Sequence, residues 1–333
     1  MTLNVGIVGT GWFSHVHADI LSRMDGVAVN AFVGSSLAKA EQSALRYAPA
    51  KPYENVEQML DQAKPDAVYI CVPPFAHGDI ERRLVERGIP FLVEKPLGTD
   101  MEEPLAIAEA VKQAGLVTSV GYHFRYADAA ARAADLLRGR TAGMALGYWM
   151  GDMPQVYWWR KQEGSGGQFI EQTTHIVDLL RYLLGEVDEV YAAFAQRAMH
   201  EQYEGVTVHD VGTVTMKLAS GAVATISNTC ILPDGGQVGL TVYTAQGQVE
   251  VRPDKLIVTE KGVLTEHRNA GNPYERENEA FIHAVRTGDV SSIRSSYADA
   301  ARTMAVTHAA LRSAGSGLPV RVEYGDEVAS KTR

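Results

Sequence analysis

The run Leu3-Asn4-Val5-Gly6-Ile7-Val8, breaking at once into Gly9-Thr10-Gly11, constrains this chain more than any other stretch. An apolar strand that turns through Gly-x-Gly into a helix, predicted over residues 15–24, has few architectural uses. Gly9 permits the turn, Gly11 lets an anion approach the backbone, and Ser14 is small enough for the helix to pack on the strand. The helix N-terminus then turns its N–H groups toward a phosphate. Trp12 and Phe13 lie in the same turn and join Gly9 and Gly11 as candidate cofactor-binding residues. Ser14 stands where the pattern prefers glycine or alanine, a modest departure.

Beyond this helix the chain alternates as a parallel sheet requires, with strands predicted at 27–33, 67–72, 91–93 and 117–121 and helices between them. The second strand ends in Gly34-Ser35-Ser36, with Lys39 a turn later. The acidic residue that would accept from a ribose 2′-hydroxyl is missing there. Serine hydroxyls and a lysine suit a 2′-phosphate, so Ser35, Ser36 and Lys39 point to NADP(H) ahead of NAD(H); a solvated loop is the plain alternative. The next strand runs into Val72-Pro73-Pro74-Phe75-Ala76-His77. Two prolines at the carboxyl end of a parallel strand shape a rigid crevice where such folds place ligands. Val72, Pro73, Pro74 and His77 are therefore candidate cofactor contacts, His77 with local capping as its plain alternative. Phe91-Leu92-Val93 delivers Glu94-Lys95-Pro96 to the same edge. A lysine is rarely buried at such a place without a use. The Lys95–Pro96 peptide is expected to be cis.

In the second half, Gly164-Ser165-Gly166-Gly167 reads as a turn feeding one helix of about five turns that ends at Gly185. Glu171, His175, Asp178 and Tyr182 recur at i, i+4, i+7 and i+11, a polar stripe on an otherwise apolar helix. Such a stripe needs partners or a ligand. An imidazole ordinarily changes charge near neutrality, which makes His175 the natural general acid/base. Glu171 either holds a substrate hydroxyl or orients His175, while Asp178 and Tyr182 read as scaffold. Trp158-Trp159-Arg160 suits a sugar face and its hydroxyls, or simply a core. Short strands at 187–195, 211–218, 222–229, 237–243, 248–251 and 256–259 indicate an open antiparallel sheet. Helices at 275–287 and 296–314 close the chain, and residues past 324 read as a frayed tail.

In order, the Gly-x-Gly start, Pro73-Pro74-Phe75-Ala76-His77, Glu94-Lys95-Pro96, Gly121-Tyr122-His123-Phe124-Arg125-Tyr126 and the glycine-to-His175-to-Asp178 segment resemble the Gfo/Idh/MocA oxidoreductases (glucose–fructose oxidoreductase, inositol dehydrogenase). The likeness spans nearly the whole chain. It implies an α/β Rossmann domain over residues 1–122, then an α+β domain over 123–325 with a large open, mainly antiparallel sheet, and a tail over 326–333. It also implies hydride transfer between a nicotinamide and a secondary alcohol or carbonyl of a sugar, cyclitol or related polyhydroxy compound. Lys95 and His175 would be catalytic, with Glu171 beside them; aspartate is usual at that position, which points to a shifted or smaller pocket. Glu94, by its place beside Lys95, orients the amide or ribose side of the cofactor or serves structurally. Tyr122, His123, Arg125, Trp159, Arg160 and Tyr274 are the expected substrate contacts. A partner subunit would cover the open sheet face, giving a homodimer or homotetramer. Two other classes stay open: a dinucleotide-binding regulator without chemistry, and a glycosidase that retains its nicotinamide.

Composition narrows the remaining choices. A chain of 333 residues with 46% hydrophobic and 21% charged residues builds two ordinary domains without staples. A net charge of −9 with interspersed basic residues argues against nucleic acid or anionic membrane as partner. Cys71 and Cys230 lie in apolar runs without metal-ligand spacing, so no metal is expected and both read as reduced residues of a cytoplasmic protein. The N-terminus shows no secretory pattern, and no apolar run approaches the roughly 20 residues of a membrane span.

Overall fold

The computed structural model describes residues 2–325; the tail expected over 326–333 lies outside them. The chain forms two compact units, one of Met1–Gly98, Glu102–Gly121 and Tyr274–Asp299, the other of Thr99–Met101, Tyr122–Pro273 and Ala300–Arg333.

The first unit alternates β1 (Leu3–Val8), α1 (Trp12–Leu21), β2 (Val27–Val33), α2 (Leu37–Ala44), β3 (Lys51–Tyr53), α3 (Val56–Gln62), β4 (Ala67–Ile70), α4 (Asp79–Glu86), β5 (Phe91–Val93), α5 (Glu102–Ala114) and β6 (Thr118–Val120). All pairs in its six-stranded sheet are parallel, in the order β3-β2-β1-β4-β5-β6. The order reverses between β1 and β4, the position where doubly wound sheets bind ligands. Buried aliphatic and aromatic residues on the central strands, Val5, Ile7, Tyr69 and Leu92 among them, explain why the apolar runs read as strands covered on both faces. The edge strand β3 escapes sequence reasoning because it is three residues long and contains Pro52, tolerable only where one side of the ladder is open.

The second unit begins with α6 (Asp128–Leu137) and β7 (Ala142–Met150), then α7 (Gln162–Ser165), α8 (Gln168–Glu171) and α9 (Thr174–Leu184). After these come β8 (Val187–Ala195), α10 (Met199–Gln202), β9 (Val211–Leu218), β10 (Val223–Thr229), β11 (Val238–Thr244), β12 (Gly247–Val251), β13 (Lys255–Glu260) and β14 (Val263–Arg268). Then α11 (Pro273–Thr287) returns to the first unit. Its Phe281 and Ile282 pack with Val5, Ile7, Tyr69 and Leu92, so a contiguous division at residue 122 does not describe where the apolar surface goes. The chain closes with α12 (Tyr297–Ser316) and β15 (Val320–Arg321).

The second unit's sheet has nine strands in the order β14-β13-β12-β11-β7-β10-β9-β8-β15. Every neighbouring pair is antiparallel except β7 with β10. Strand β9 shows the logic: Val214, Met216 and Leu218 are buried, while Thr213, Thr215 and Lys217 face out. The buried side packs on α6, α9 and α12 through Ala133, Ile176, Leu180, Val306 and Ala310. Gly147 of β7 lets α9 come close, since a Cβ there would stand 2.6 Å from Ile176 Cγ2. The opposite side exposes Met144, Leu146, Tyr191 and Val223.

Beside this core, Glu186 sits half-buried between Arg181 and Arg302, at 2.8 and 3.0 Å. Burial pushes its carboxyl up, but the two guanidinium groups outweigh that and hold it at about 2. A carboxyl depressed in the folded state contributes stability above its unfolded value and loses it as pH falls through the folded value. The denaturation midpoint should therefore fall from pH 5 toward pH 2, with a shallower fall in Glu186→Gln; equal slopes would assign the acid sensitivity elsewhere.

Candidate active site

In the first unit, the two glycines of the first turn do different things: Gly9 is required where it stands, and Gly11 leaves space. Gly9 has φ 120°, and a Cβ there would sit 2.2 Å from the Cys71 carbonyl oxygen. Gly11 caps α1 without a side chain, and a Cβ there would meet nothing within 4 Å. The end of a ten-residue helix is thus left open to a ligand, which fits the pyrophosphate of a dinucleotide. Trp12 is 68% exposed, and Phe13 packs against it at 4.7 Å and against Tyr274 at 6.0 Å. Lys39 Nζ donates to Ser35 Oγ at 3.0 Å, and Ser36 Oγ caps α2 by accepting from Lys39 N. Beyond β4, Val72 and Pro73 lead into a 3-10 turn over Pro74–Ala76. His77 Nδ1 lies 2.6 Å from Glu81 Oε1, while Glu81 Oε2 accepts from Gly78 N, so His77 takes part in capping α4.

Glu94 and Lys95 follow directly on β5, and both are buried. The Lys95–Pro96 peptide is cis. Glu94 Oε1 lies 3.0 Å from His17 Nε2, and His17 Nδ1 lies 3.2 Å from Asn278 Oδ1. Asn278 Nδ2 donates to the Tyr274 carbonyl at 2.7 Å and also lies 3.0 Å from His17 Nδ1, so the amide is fixed against the imidazole. Glu94 is therefore backed by a buried histidine that no sequence signal singled out; the demand of a buried carboxylate for a partner was legible, its identity was not. Gly121 makes room for that carboxylate, since a Cβ there would stand 2.6 Å from Glu94 Oε2. Burial and Glu94 push the Cys71 thiol up, and burial pushes the Tyr274 phenol up with help from Glu94 and Glu277.

In the second unit the expected five-turn helix is broken. Gly166 and Gly167 have φ 74° and 86°, α8 makes a single turn, and the chain kinks at Gln172–Thr173 before α9 starts. Thr173 N reaches back to Gln168 O, while His175 N and Ile176 N make tight i→i−3 bonds. Glu171 thus ends α8, while His175, Asp178 and Tyr182 share α9. His175 is buried within a ring of aromatic neighbours: His123 at 4.8 Å, Phe124 at 5.1 Å, Tyr122 at 5.7 Å and Trp149 at 5.8 Å. Glu171 Oε2 accepts from the Trp159 indole at 3.0 Å.

Several expected substrate contacts have partners within the fold. Arg125 is buried, and its Nε and Nη2 hold Asp178 Oδ2 and Oδ1 at 2.7 and 2.6 Å, so its guanidinium is committed inside the fold. Thr303 adds a bond of 2.8 Å to the same carboxylate. Tyr122 is buried with its hydroxyl 2.9 Å from Thr174 Oγ1. Trp159 is buried, and His123 belongs to the histidine's own shell. Arg160 is partly exposed over the Tyr203 ring at 4.4 Å. Tyr274 belongs to the first unit, beside Phe13.

Comparison with known proteins covers both halves of the chain. Residues 3–122 match the family described as "Oxidoreductase family, NAD-binding Rossmann fold", and residues 124–250 match the GFO/IDH/MocA C-terminal domain. The scyllo-inositol 2-dehydrogenase (NAD(+)) of Bacillus subtilis is 28% identical over 335 residues, covering 95% of each chain. The inositol 2-dehydrogenase of Rhizobium meliloti is 28% identical over 331 residues, covering 94% of this chain and 97% of its own. The WlbA dehydrogenase of Bordetella pertussis, solved with NADH and UDP-GlcNAcA, shares the fold with TM-score 0.83 at 21% identity, covering 97% of this chain and 98% of its own.

Proposed function

We propose, from the premise that this chain belongs to the Gfo/Idh/MocA oxidoreductase family with its NAD-binding Rossmann fold, that it transfers hydride between a nicotinamide and a secondary alcohol or carbonyl of a sugar, cyclitol or related polyhydroxy compound. The observation that carries this reading is the carboxyl edge of the parallel sheet. There a glycine cradle open to a phosphate follows β1, and a buried lysine lies just beyond β5. The inositol dehydrogenases among its relatives support the substrate class. When bound, the nicotinamide supplies the hydride acceptor or donor. In this reading Lys95 donates a hydrogen bond to the substrate oxygen, and His175 takes the hydroxyl proton as the carbonyl forms. Glu171 accepts from a neighbouring substrate hydroxyl, and the aromatic ring around His175 excludes water from the proton transfer. The test is absorbance at 340 nm with scyllo-inositol, myo-inositol, D-xylose and levoglucosan, each with NADP+ and NAD+. Cofactor binding without any turnover would favour a regulator.

The preferred cofactor in this reading is NADP(H), on the strength of Ser35, Ser36 and the exposed Lys39 at the end of β2. A charge-assisted bond to a 2′-phosphate contributes about 1.5–3 kcal/mol. Lys39→Ala should therefore weaken NADP+ binding about 10-fold or more, leave NAD+ within about 2-fold, and can be followed by quenching of the exposed Trp12. Equal weakening of both would refute the assignment. We assign self-association to the exposed sheet face bearing Met144, Leu146, Tyr191 and Val223. Leu146→Lys should lower the mass seen in sedimentation; an unchanged mass would remove that face from the interface.

A further inference from the structure

The break before α9 leaves Glu171 on the separate turn of α8, where its carboxylate has a tether. Trp159 Nε1 donates to Glu171 Oε2 at 3.0 Å, and Trp159 itself is 1% exposed. An indole N–H can only donate, so the bond fixes one carboxylate oxygen as acceptor and sets the reach of the side chain.

The backbone around the pair holds both ends still. Trp159 lies in a 3-10 turn over Tyr157–Arg160, and Ser165 Oγ donates to its carbonyl at 2.7 Å. The same Ser165 Oγ accepts from Gly167 N at 3.0 Å, so one hydroxyl joins the tryptophan turn to the start of the helix that carries Glu171. Gly164 makes the approach feasible: a Cβ there would sit 2.4 Å from the Trp158 carbonyl oxygen. The Trp159 ring fills a small core with Met153, Met199, Val206, Val208 and Cys230. Thr207 N and Val208 N both donate to the Arg160 carbonyl, anchoring that core to the tryptophan turn. A carboxylate held by a packed donor is pre-organised in a way an exposed one is not.

We propose that Trp159 is a positioning residue for Glu171, and that the tethered pair determines which substrate hydroxyl is accepted. This rests on the reading of the chain as a polyol oxidoreductase. Glu171 acts as an acceptor at fixed reach, and Trp159 acts only through it.

The experiment combines a double-mutant cycle with a spectroscopic arm. Trp159→Phe keeps an aromatic ring and removes the donor; Glu171→Asp shortens the carboxylate. On whichever of the four polyols named above turns over fastest, Trp159→Phe should raise KM for the polyol about 10-fold. KM for the cofactor should stay within about 2-fold. In a Glu171→Asp background Trp159→Phe should add less than about 2-fold. An undiminished effect in that background, or a loss of thermal stability with unchanged KM, overturns the proposal. In the spectrum of protein labelled with 15N-tryptophan, the indole signal lost in Trp159→Phe should move in Glu171→Gln. An unmoved signal overturns the tether itself. If no polyol is turned over, the reading of the chain as a polyol oxidoreductase fails while the indole signal still decides the tether.

Discussion

Lys95→Ala should lower kcat about 1,000-fold while changing the dissociation constant of NADP+ by less than about 3-fold. The expectation rests on where Lys95 stands. It is buried at the carboxyl end of β5, one residue beyond the backed carboxylate of Glu94, in a sheet whose cofactor cradle lies just after β1. A single hydrogen bond that strengthens as the alkoxide develops contributes to the transition state and little to ground-state binding of the dinucleotide. Lys95→Arg is not conservative here, because a planar fork cannot replace a point donor in a closed site. Stopped-flow hydride transfer and equilibrium titration separate the two quantities. A variant that loses cofactor affinity in step with kcat would make Lys95 a cofactor ligand only.

The legibility of this molecule depends on the range of its interactions. In the first unit the decisive signals are local: apolar runs bounded by glycine or proline, a Gly-x-Gly turn, and a charged pair at a strand end, each readable within about ten residues. The architecture and most strand positions are therefore legible in the residues themselves. The hidden features are those brought from a distance. His17 meets Asn278 across 261 positions, and α11 returns to a core already built from β1, β4 and β5. No periodicity within either segment announces that meeting. The break at Gln172–Thr173 is hidden for the opposite reason. The polar residues there repeat at helical spacing, and nothing in their order distinguishes one long helix from two short ones. Backbone bonds from Thr173 and Ile176 settle the matter: Glu171 ends α8, its carboxylate on the Trp159 indole, and His175 belongs to α9. The open sheet is legible by alternation, whereas β14, exposed along most of its length, lacks the apolar half of the pattern.

Of the polar residues on α9, Asp178 carries the largest stability effect. Asp178 is 1% exposed and Arg125 5%, and their bidentate pair is closed by Thr303, which also accepts from Arg181 Nη1 at 2.6 Å. The Arg125 guanidinium further lies 5.2 Å from the Tyr182 ring. Asp178→Ala should cost about 3–5 kcal/mol, because it leaves a buried guanidinium facing a void where its carboxylate was. The magnitude comes from desolvation, not from the worth of the pair. Replacing both partners together, as Arg125→Met with Asp178→Leu, should therefore recover most of the loss and can exceed the parent in stability. Denaturant unfolding of the two single variants and the double variant separates these contributions, since the two sites share partners and cannot be additive. If the double variant folds with its midpoint restored and still turns over substrate, Asp178 is scaffold for the helix that presents His175. If it folds but is inactive with His175 undisturbed, Asp178 belongs to the proton pathway and its role as scaffold is overturned.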